Sequence, residues 1–593
     1  MFSTLRNLAA ALTVLTAMAI PVQAAAADLP DVLSAKDAAR YAEIFRLQGR
    51  ADWRAADRLI RQLDDRLLMG HVLHQRYMHP TGWRASYEEL HTWMKAYADH
   101  PDSGDVHELA TKRRPRSGWK PLTRPRFVRL TYPENLRLPN RSSTRTASGG
   151  APSAADRRIV DIVKSNVRRD RMTVSEKRLA GADGRRMTPA GRAEAHAALA
   201  RGHLSKGRFE RALQQGDLAM REAGGGRRLG AFHAGIALWA MDRQADALTR
   251  FRTAAATPPD RIGNIGGAVD YWHARAALAG GHYDEALTAL ERTTRFPRDI
   301  YGLLAAAQLA RFGPFVWTPP SLDRATLKTL MTNAGIRRAI ALAQAGQIAR
   351  ADMELNRLSR YTDSGGGALL IAVAAAIDAP ASAYRMARIR QRSFGEHHDT
   401  SLYPVPRWQV DTRDPIGRAL LLAVARRESG YNPDARSRMG ARGLMQIMPN
   451  TAAYVARKTS LKRVTLDRLH DPEVSLKFGQ AYLGYLSRLV EPRNCLIHML
   501  AAYNAGPGNL QTWERRFGDR ADPLLFIELL GSRETRHFVR DVLSAYWIYR
   551  DRMDLPTPSL IDMAEGRWPL YVSPRQAATG TSATATGAPA HAD

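Results

Sequence analysis

The chain has 593 residues, a formal net charge of +29 and a single cysteine. That length exceeds one ordinary hydrophobic core, so several domains or a repeat architecture are expected. One thiol excludes an internal disulfide framework and any cysteine-pair metal centre.

Residues 1–26 read as a secretory signal peptide. Arg6 precedes an apolar run from Leu8 to Ile20, and small residues follow, with cleavage expected at Ala24 or one of the next alanines. The run is shorter than the roughly 20 residues needed to cross a bilayer. No cysteine stands there to carry a lipid anchor, so the mature protein is expected without a transmembrane segment, exported to the periplasm. From about Asp28 to Asp102 apolar residues recur at helical spacing, with breaks at Gly49 and Pro80.

Between Lys112 and Arg186 there are 21 Lys/Arg against 6 Asp/Glu. Basic excess commonly means nucleic acid. Exported proteins meet other polyanions, however, and no nucleic-acid motif is present. A basic, partly disordered insertion over about 105–190 is the plainer reading.

Helical hairpins follow, with a loose repeat around Ala212, Ala247, Ala286 and Ala351, at intervals of 35, 39 and 65 residues. Helix pairs at such intervals stack into a solenoid of tetratricopeptide type. Trp272, Tyr283 and Tyr301 are expected to fill its layers. The superhelical domain is placed at 27–400, a second domain at 401–555, and a disordered Ala/Thr/Pro/Gly tail at 556–593.

The stretch from Asp414 to Pro449 carries the chemistry. Asp414-Pro415 reads as a helix start and Gly430 with Pro433 as its stop. Leu421, Val424 and Glu428 are spaced i, i+3 and i+7, which places the carboxylate on the apolar face. Burial and the negative end of the helix dipole both disfavour its charged form, so its pKa is expected to rise toward neutrality. That suits a general acid. The plainer alternative is a solvated Glu paired with Arg427. Cys495 lies in an apolar segment and reads as a buried small hydrophobe. The histidines are scattered, with no pair spaced for a metal on one helix face, so neither metal nor cofactor is expected.

Four motifs then stand in order: Glu428-Ser429-Gly430, Gly440-Ala-Arg-Gly-Leu-Met-Gln-Ile-Met-Pro449, Ala501-Ala-Tyr-Asn-Ala-Gly-Pro-Gly508 and Glu534-Thr-Arg-His-Phe-Val539. Together they closely resemble the catalytic domain of the soluble lytic transglycosylases, over roughly residues 408–553. Tyr271–Ala276 and Tyr301–Ala305 also look like elements of the family's superhelix. The resemblance implies a mainly α chain, a helical superhelix followed by a lysozyme-like domain with little β structure.

It implies cleavage of the bond between N-acetylmuramic acid and N-acetylglucosamine in peptidoglycan glycan strands. Glu428 would act as acid and then base, closing a 1,6-anhydro ring. Ser429 and Gln446 would bind substrate or orient the acid. Tyr503 would hold its hydroxyl within hydrogen-bond reach of Glu428, and Asn504 would shape the groove. Met445 and Met448 would offer apolar surface to sugar faces or else be core. Glu528 would support the cleft, and Arg536 would be structural through a carboxylate pair. Cell-wall synthesis or remodelling proteins are possible partners; nucleic acid is not expected. Two departures from the family are Ser475, where asparagine is expected, and Phe538, where tyrosine is common. The alternatives are a hydrolytic muramidase and an inactive peptidoglycan-binding scaffold.

Overall fold

The computed structural model describes residues 29–132, 152–222, 225–258, 265–311, 313–319, 321–360, 362–411, 416–459, 461–462, 464–518 and 522–573. The expected signal peptide at 1–26 lies outside them, as does the chain from 574 on. Two compact units divide the chain: Met1–Leu138 with Thr318–Ala379, and Pro139–Trp317 with Pro380–Asp593. The middle helices join the carboxy-terminal ones, and residues 318–379 join the amino-terminal ones. Among the described residues, β structure is confined to isolated bridges: Arg436 with Arg442, Arg442 with Ile447, and Cys495 with Leu570. No helix among them is long and apolar enough to cross a membrane.

In the first unit the helices Ala35–Gly49, Trp53–Ile60, Met69–Tyr77, Tyr87–Tyr97 and Ser103–Lys112 meet Ala334–Gln344, Ile348–Ser359 and Ser364–Ala376. Their starts are set by side chains that satisfy free amides. Ser34 accepts from the Asp37 amide, and Ser86 forms a reciprocal box with Glu89. The Gln344 side chain ties the amino terminus down, accepting from the Val32 and Leu33 amides at 3.1 and 3.0 Å. Tyr41, Ile44, Leu90 and Trp93 are buried in the interior.

The repeat expected from sequence is present, and its turns share one geometry. Gly207, Asp242, Gly281 and Gly346 have φ of 69°, 57°, 74° and 68°. The next amide reaches back over the helix end: Arg208 to the His203 carbonyl, Arg243 to Leu238, His282 to Ala277, and Gln347 to Leu342. This left-handed cap satisfies orphan carbonyls and starts the following helix at once. The marked alanines, each five residues after the turn residue, are all fully buried, because a larger side chain would part the packed helices. Trp272 and Tyr301 fill layers as expected, but Tyr283 does not. It is 70% exposed at the first turn of Tyr283–Thr293, since the buried face of that helix begins at Ala286.

Three further stretches take these forms. The basic stretch at 105–190 is helical over Ala154–Arg168, Met172–Ala180 and Ala182–Arg186, with Val160, Val163 and Met172 in a core that includes Leu199; residues 133–151 lie outside the described chain. The Asp414–Pro415 helix start lies outside the described residues, and the helix begins at Arg418, with Gly417 before it making no side-chain cap. The chain past 556 is folded as far as 573. Pro558–Ala564 is a helix, Leu560, Met563 and Tyr571 are buried, and the Leu496 amide donates to the Pro569 carbonyl at 2.9 Å. The Gly417 amide donates to the Tyr571 hydroxyl at 2.6 Å. Leu560 and Met563 have the i, i+3 spacing of a helix face, too short a signal to stand out of a low-complexity tail.

Candidate active site

Glu428 is the last residue of the helix Arg418–Glu428, whose residues from Ala419 to Ala425 are all buried. Ser429 caps the helix, and Gly430 and Tyr431 then turn the chain with φ of 58° and 66°. Tyr431 is fully buried and its hydroxyl meets that of Tyr549, which fixes the turn against the long helix Arg533–Arg552.

The Glu428 carboxyl is pushed up to about 7 by burial, with the charge of Glu534 adding to the rise and Arg427 opposing it. The helix carboxy terminus acts in the same direction as burial. Arg427 is drawn elsewhere: its guanidinium pairs with Asp541 at 3.0 Å and lies 6.0 Å from the Phe538 ring centre. The expected alternative, a Glu428–Arg427 pair that would hold the acid ionised, is not formed. A carboxyl that holds its proton near neutrality can give it to a leaving oxygen and take another back.

Tyr503 closes one side. Burial and the nearby charge of Glu428 push its phenol well above the usual range. Its hydroxyl, however, donates to the Met445 carbonyl at 2.7 Å, not to the acid. Its ring stacks on Phe538 at 6.0 Å and 5°, and meets Tyr482 at 5.4 Å. Tyr482 escaped the sequence reading; its only signal was a tyrosine pair, Tyr482 and Tyr485, on one face of Pro472–Leu489. Beside it, the Thr535 hydroxyl donates to Asn504 Oδ1 at 2.7 Å. Asn504 thus fastens the end of Leu496–Ala505 to the first turn of Arg533–Arg552.

The loop from Tyr431 to Met448 faces this corner. Gln446 adopts φ 45° and its side-chain amide donates to the carbonyls of Ala435 and Gly443, at 3.0 and 2.9 Å. Its nitrogen holds the loop shut and leaves only the oxygen for a ligand. Ser429 likewise donates to the Ala425 carbonyl at 3.0 Å. The two methionines separate. Met445 is fully buried, packed where a Cβ on Gly479 would come within 2.5 Å of its methyl group, so it is core. Met448 is 37% exposed and offers apolar surface to a ligand.

Ser475 explains how this chain does without the expected asparagine. Its buried hydroxyl accepts from the Met445 amide at 3.2 Å. Gly443, at φ 74°, comes so close that a Cβ would sit 2.7 Å from that hydroxyl and 1.8 Å from the Leu469 carbonyl oxygen. A small polar residue is what the approach leaves room for.

Glu528 is not among the charges acting on Glu428. It is buried and paired with Arg540 and the Tyr301 hydroxyl; burial is the largest influence and raises its pKa, but Arg540, that hydroxyl, Arg201 and Arg536 together hold it below the usual carboxylate range. It joins the helices of the superhelix to the carboxy-terminal ones. Arg536 donates to the Leu530 carbonyl, so its partner is backbone where a carboxylate was expected. Cys495 is buried and free, its thiol pushed up to about 12 by burial. The histidines expected to be scattered are not all so: His71, His100 and Glu354 of the first unit converge.

Residues 409–526 match the family model described as Transglycosylase SLT domain. This stretch is a transglycosylase SLT domain. The soluble lytic murein transglycosylase of Escherichia coli (strain K12) is 40% identical over 144 residues, which are 24% of this chain and 22% of that protein. The membrane-bound lytic murein transglycosylase F of Haemophilus influenzae (strain PittGG) is 44% identical over 95 residues, 15% of this chain and 18% of that one. The SLT domain thus accounts for the likeness, and the aligned stretch spans under a quarter of these relatives' length. In fold the likeness runs much further. The 70 kDa soluble lytic transglycosylase from Escherichia coli superposes with a TM-score of 0.56 at 18% identity, covering 90% of this chain and 99% of that one. An inactive mutant of the lytic transglycosylase Slt from Pseudomonas aeruginosa gives 0.52 at 19%, over 90% and 89%. The fold is therefore mainly α, a helical superhelix with a lysozyme-like SLT domain.

Proposed function

We propose that this chain is a lytic transglycosylase that cuts the β-1,4 bond between N-acetylmuramic acid and N-acetylglucosamine in peptidoglycan. The observation that carries the reading is the place of Glu428, at the end of its helix inside the SLT domain, where burial pushes its carboxyl up to about 7. Glu428 donates its proton to the glycosidic oxygen as the bond breaks. The substrate's own N-acetyl oxygen stabilises the developing cation. The Glu428 carboxylate then takes the proton of the C6 hydroxyl, whose oxygen closes the 1,6-anhydro ring. The acid is restored and no water is consumed. Attack from within the same sugar has a large proximity advantage, provided that water is kept away. The Tyr503, Phe538 and Tyr482 rings supply that apolar wall.

One observation favours a second reading, hydrolysis by a muramidase. The exposed Glu534 carboxylate is near enough for its charge to raise Glu428, and a second carboxylate is what an ordinary glycosidase uses to activate water or attack the sugar. Export to the periplasm through the segment 1–26 fits either substrate reading, as does a role in wall turnover beside synthesis or remodelling proteins. Mass spectrometry of peptidoglycan digests separates the two. Products one water lighter than hydrolysis fragments support the transglycosylase, and reducing ends support the muramidase. No cleavage by the intact chain leaves a wall-binding scaffold.

A further inference from the structure

A buried cluster in the first unit is unused by the proposed chemistry. His71 and His74 lie on Met69–Tyr77, His100 follows Tyr87–Tyr97, and Glu354 lies on Ile348–Ser359, 283 positions from His71. His71 Nε2 meets Glu354 Oε1 at 2.8 Å, and the His71 and His100 rings are 4.7 Å apart. One ligand atom from each of His71, His100 and Glu354 falls within 4.8 Å of the others. All three residues are at least 98% buried, and Nδ1 of His100 and of His71 is buried without a hydrogen-bond partner. Buried polar nitrogens are rarely left so, because each costs about 1–3 kcal/mol. The fold goes out of its way to seat His100: a Cβ on Gly70 would stand 2.2 Å from its Cε1.

We infer that His71, His100 and Glu354 form a binding site for a divalent transition-metal ion of the zinc class, which staples the helix Met69–Tyr77 to Ile348–Ser359. Two imidazoles and a carboxylate suit zinc, with the fourth position left to water. The surroundings supply what such a centre needs. Asp102 Oδ2 stands 3.9 Å from His71 Nδ1 and 3.6 Å from His74 Nδ1, a carboxylate whose charge favours a cation at the cluster.

Arg338 opposes the cation. It donates to both Glu354 oxygens and to Asp99. A carboxylate oxygen has two acceptor lone pairs, so Glu354 keeps the arginine and still offers a ligand position. Asp99, Asp102 and Glu354 together outnumber Arg338 and Arg357 at the cluster.

The test uses the full chain stripped of metal by a chelator. Expected are uptake of one Zn²⁺ per chain, a rise in Tm with Zn²⁺, and the visible bands of four-coordinate cobalt when Co²⁺ is used. His100→Phe, which keeps the ring, and Glu354→Gln should abolish uptake. Asp102→Asn should weaken it about 10–100-fold, while the exposed His397→Ala leaves it unchanged. No uptake by the wild type overturns the site and leaves a buried polar network. So does uptake that survives in folded His100→Phe. Should that variant not fold, the zinc-edge X-ray spectrum of the wild type decides alone: two imidazoles at about 2.0–2.1 Å support the site, fewer refute it.

Discussion

The Tyr503 hydroxyl donates to the Met445 carbonyl at 2.7 Å, so the tyrosine beside the acid holds the loop and not the proton. Tyr503→Phe should then cost about 0.5–1.5 kcal/mol of stability, the worth of one hydrogen bond. Peptidoglycan cleavage should fall through a looser Gly440–Pro449 loop. The alkaline limb of the pH–rate profile should stay where it is. A limb displaced in the variant would mean that the phenol acts on Glu428 directly.

Glu428 makes the pH dependence predictable in sign. Its folded pKa of about 7 lies above the ordinary 4.5 because burial penalises the anion. The folded state therefore holds more protons than the unfolded state between those values, and stability falls as pH rises through that window. Cleavage, which needs the acid form, should decline above about pH 7. Glu428→Gln should abolish cleavage, a loss of at least about 10²–10⁴-fold, and melt higher than wild type at pH 8 but not at pH 4. Equal melting at both values would show that the carboxyl is not buried as described.

Glu534→Gln removes a like charge that raises Glu428. The alkaline limb should move to lower pH, because the anion becomes less unfavourable. If Glu534 only tunes the acid, the variant still cuts at lower pH and yields the same products. If cutting stops at every pH, Glu534 takes part in the chemistry and the hydrolytic reading gains.

What sequence could tell divides along physical lines. Glu428 was legible because position on a helix and burial are both periodic properties, and Ala212, Ala247, Ala286 and Ala351 because a repeat marks its own core. The glycines at 207, 281 and 346 announced their caps, but Asp242 takes the same left-handed turn with no such sign. Met445 and Met448 are alike in composition and three residues apart; only the loop's fold sends one inward and the other out. The His71–Glu354 contact and the Asp522 partners of Trp239 and Arg275 join segments hundreds of residues apart, and no local pattern records such a meeting.

Gly443 tests how tightly the loop is built. It combines φ 74° with a backbone approach that leaves a Cβ 1.8 Å from the Leu469 oxygen. Gly443→Ala should destabilise by about 3 kcal/mol or more, the strain of a left-handed alanine added to a clash with backbone. Ser475→Ala should cost about 1–3 kcal/mol by stranding the buried Met445 amide. Chemical denaturation of both variants would check the order, Gly443→Ala being the worse.

The last prediction concerns where a working fragment can be cut. The motifs point to residues 400–555, but that piece loses three sets of partners within its own compact unit. Asp522 accepts from Arg275 at 3.0 Å and from the Trp239 ring nitrogen at 3.0 Å while capping Pro523–Leu529. Glu528 loses the Tyr301 hydroxyl. The Gly417 amide loses Tyr571, and Trp547 loses the Ser559 hydroxyl at 3.1 Å. The fragment 400–573 keeps the last pair of contacts and should melt higher than 400–555, with both below the full chain. In the full chain, Asp522→Ala should cost about 2–3 kcal/mol, less than the roughly 3–5 kcal/mol of a wholly buried pair because both side chains are partly exposed. In either fragment the same substitution should cost only the cap, about 1 kcal/mol. Equal losses in fragment and full chain would mean that the Arg275 and Trp239 contacts contribute nothing to the fold.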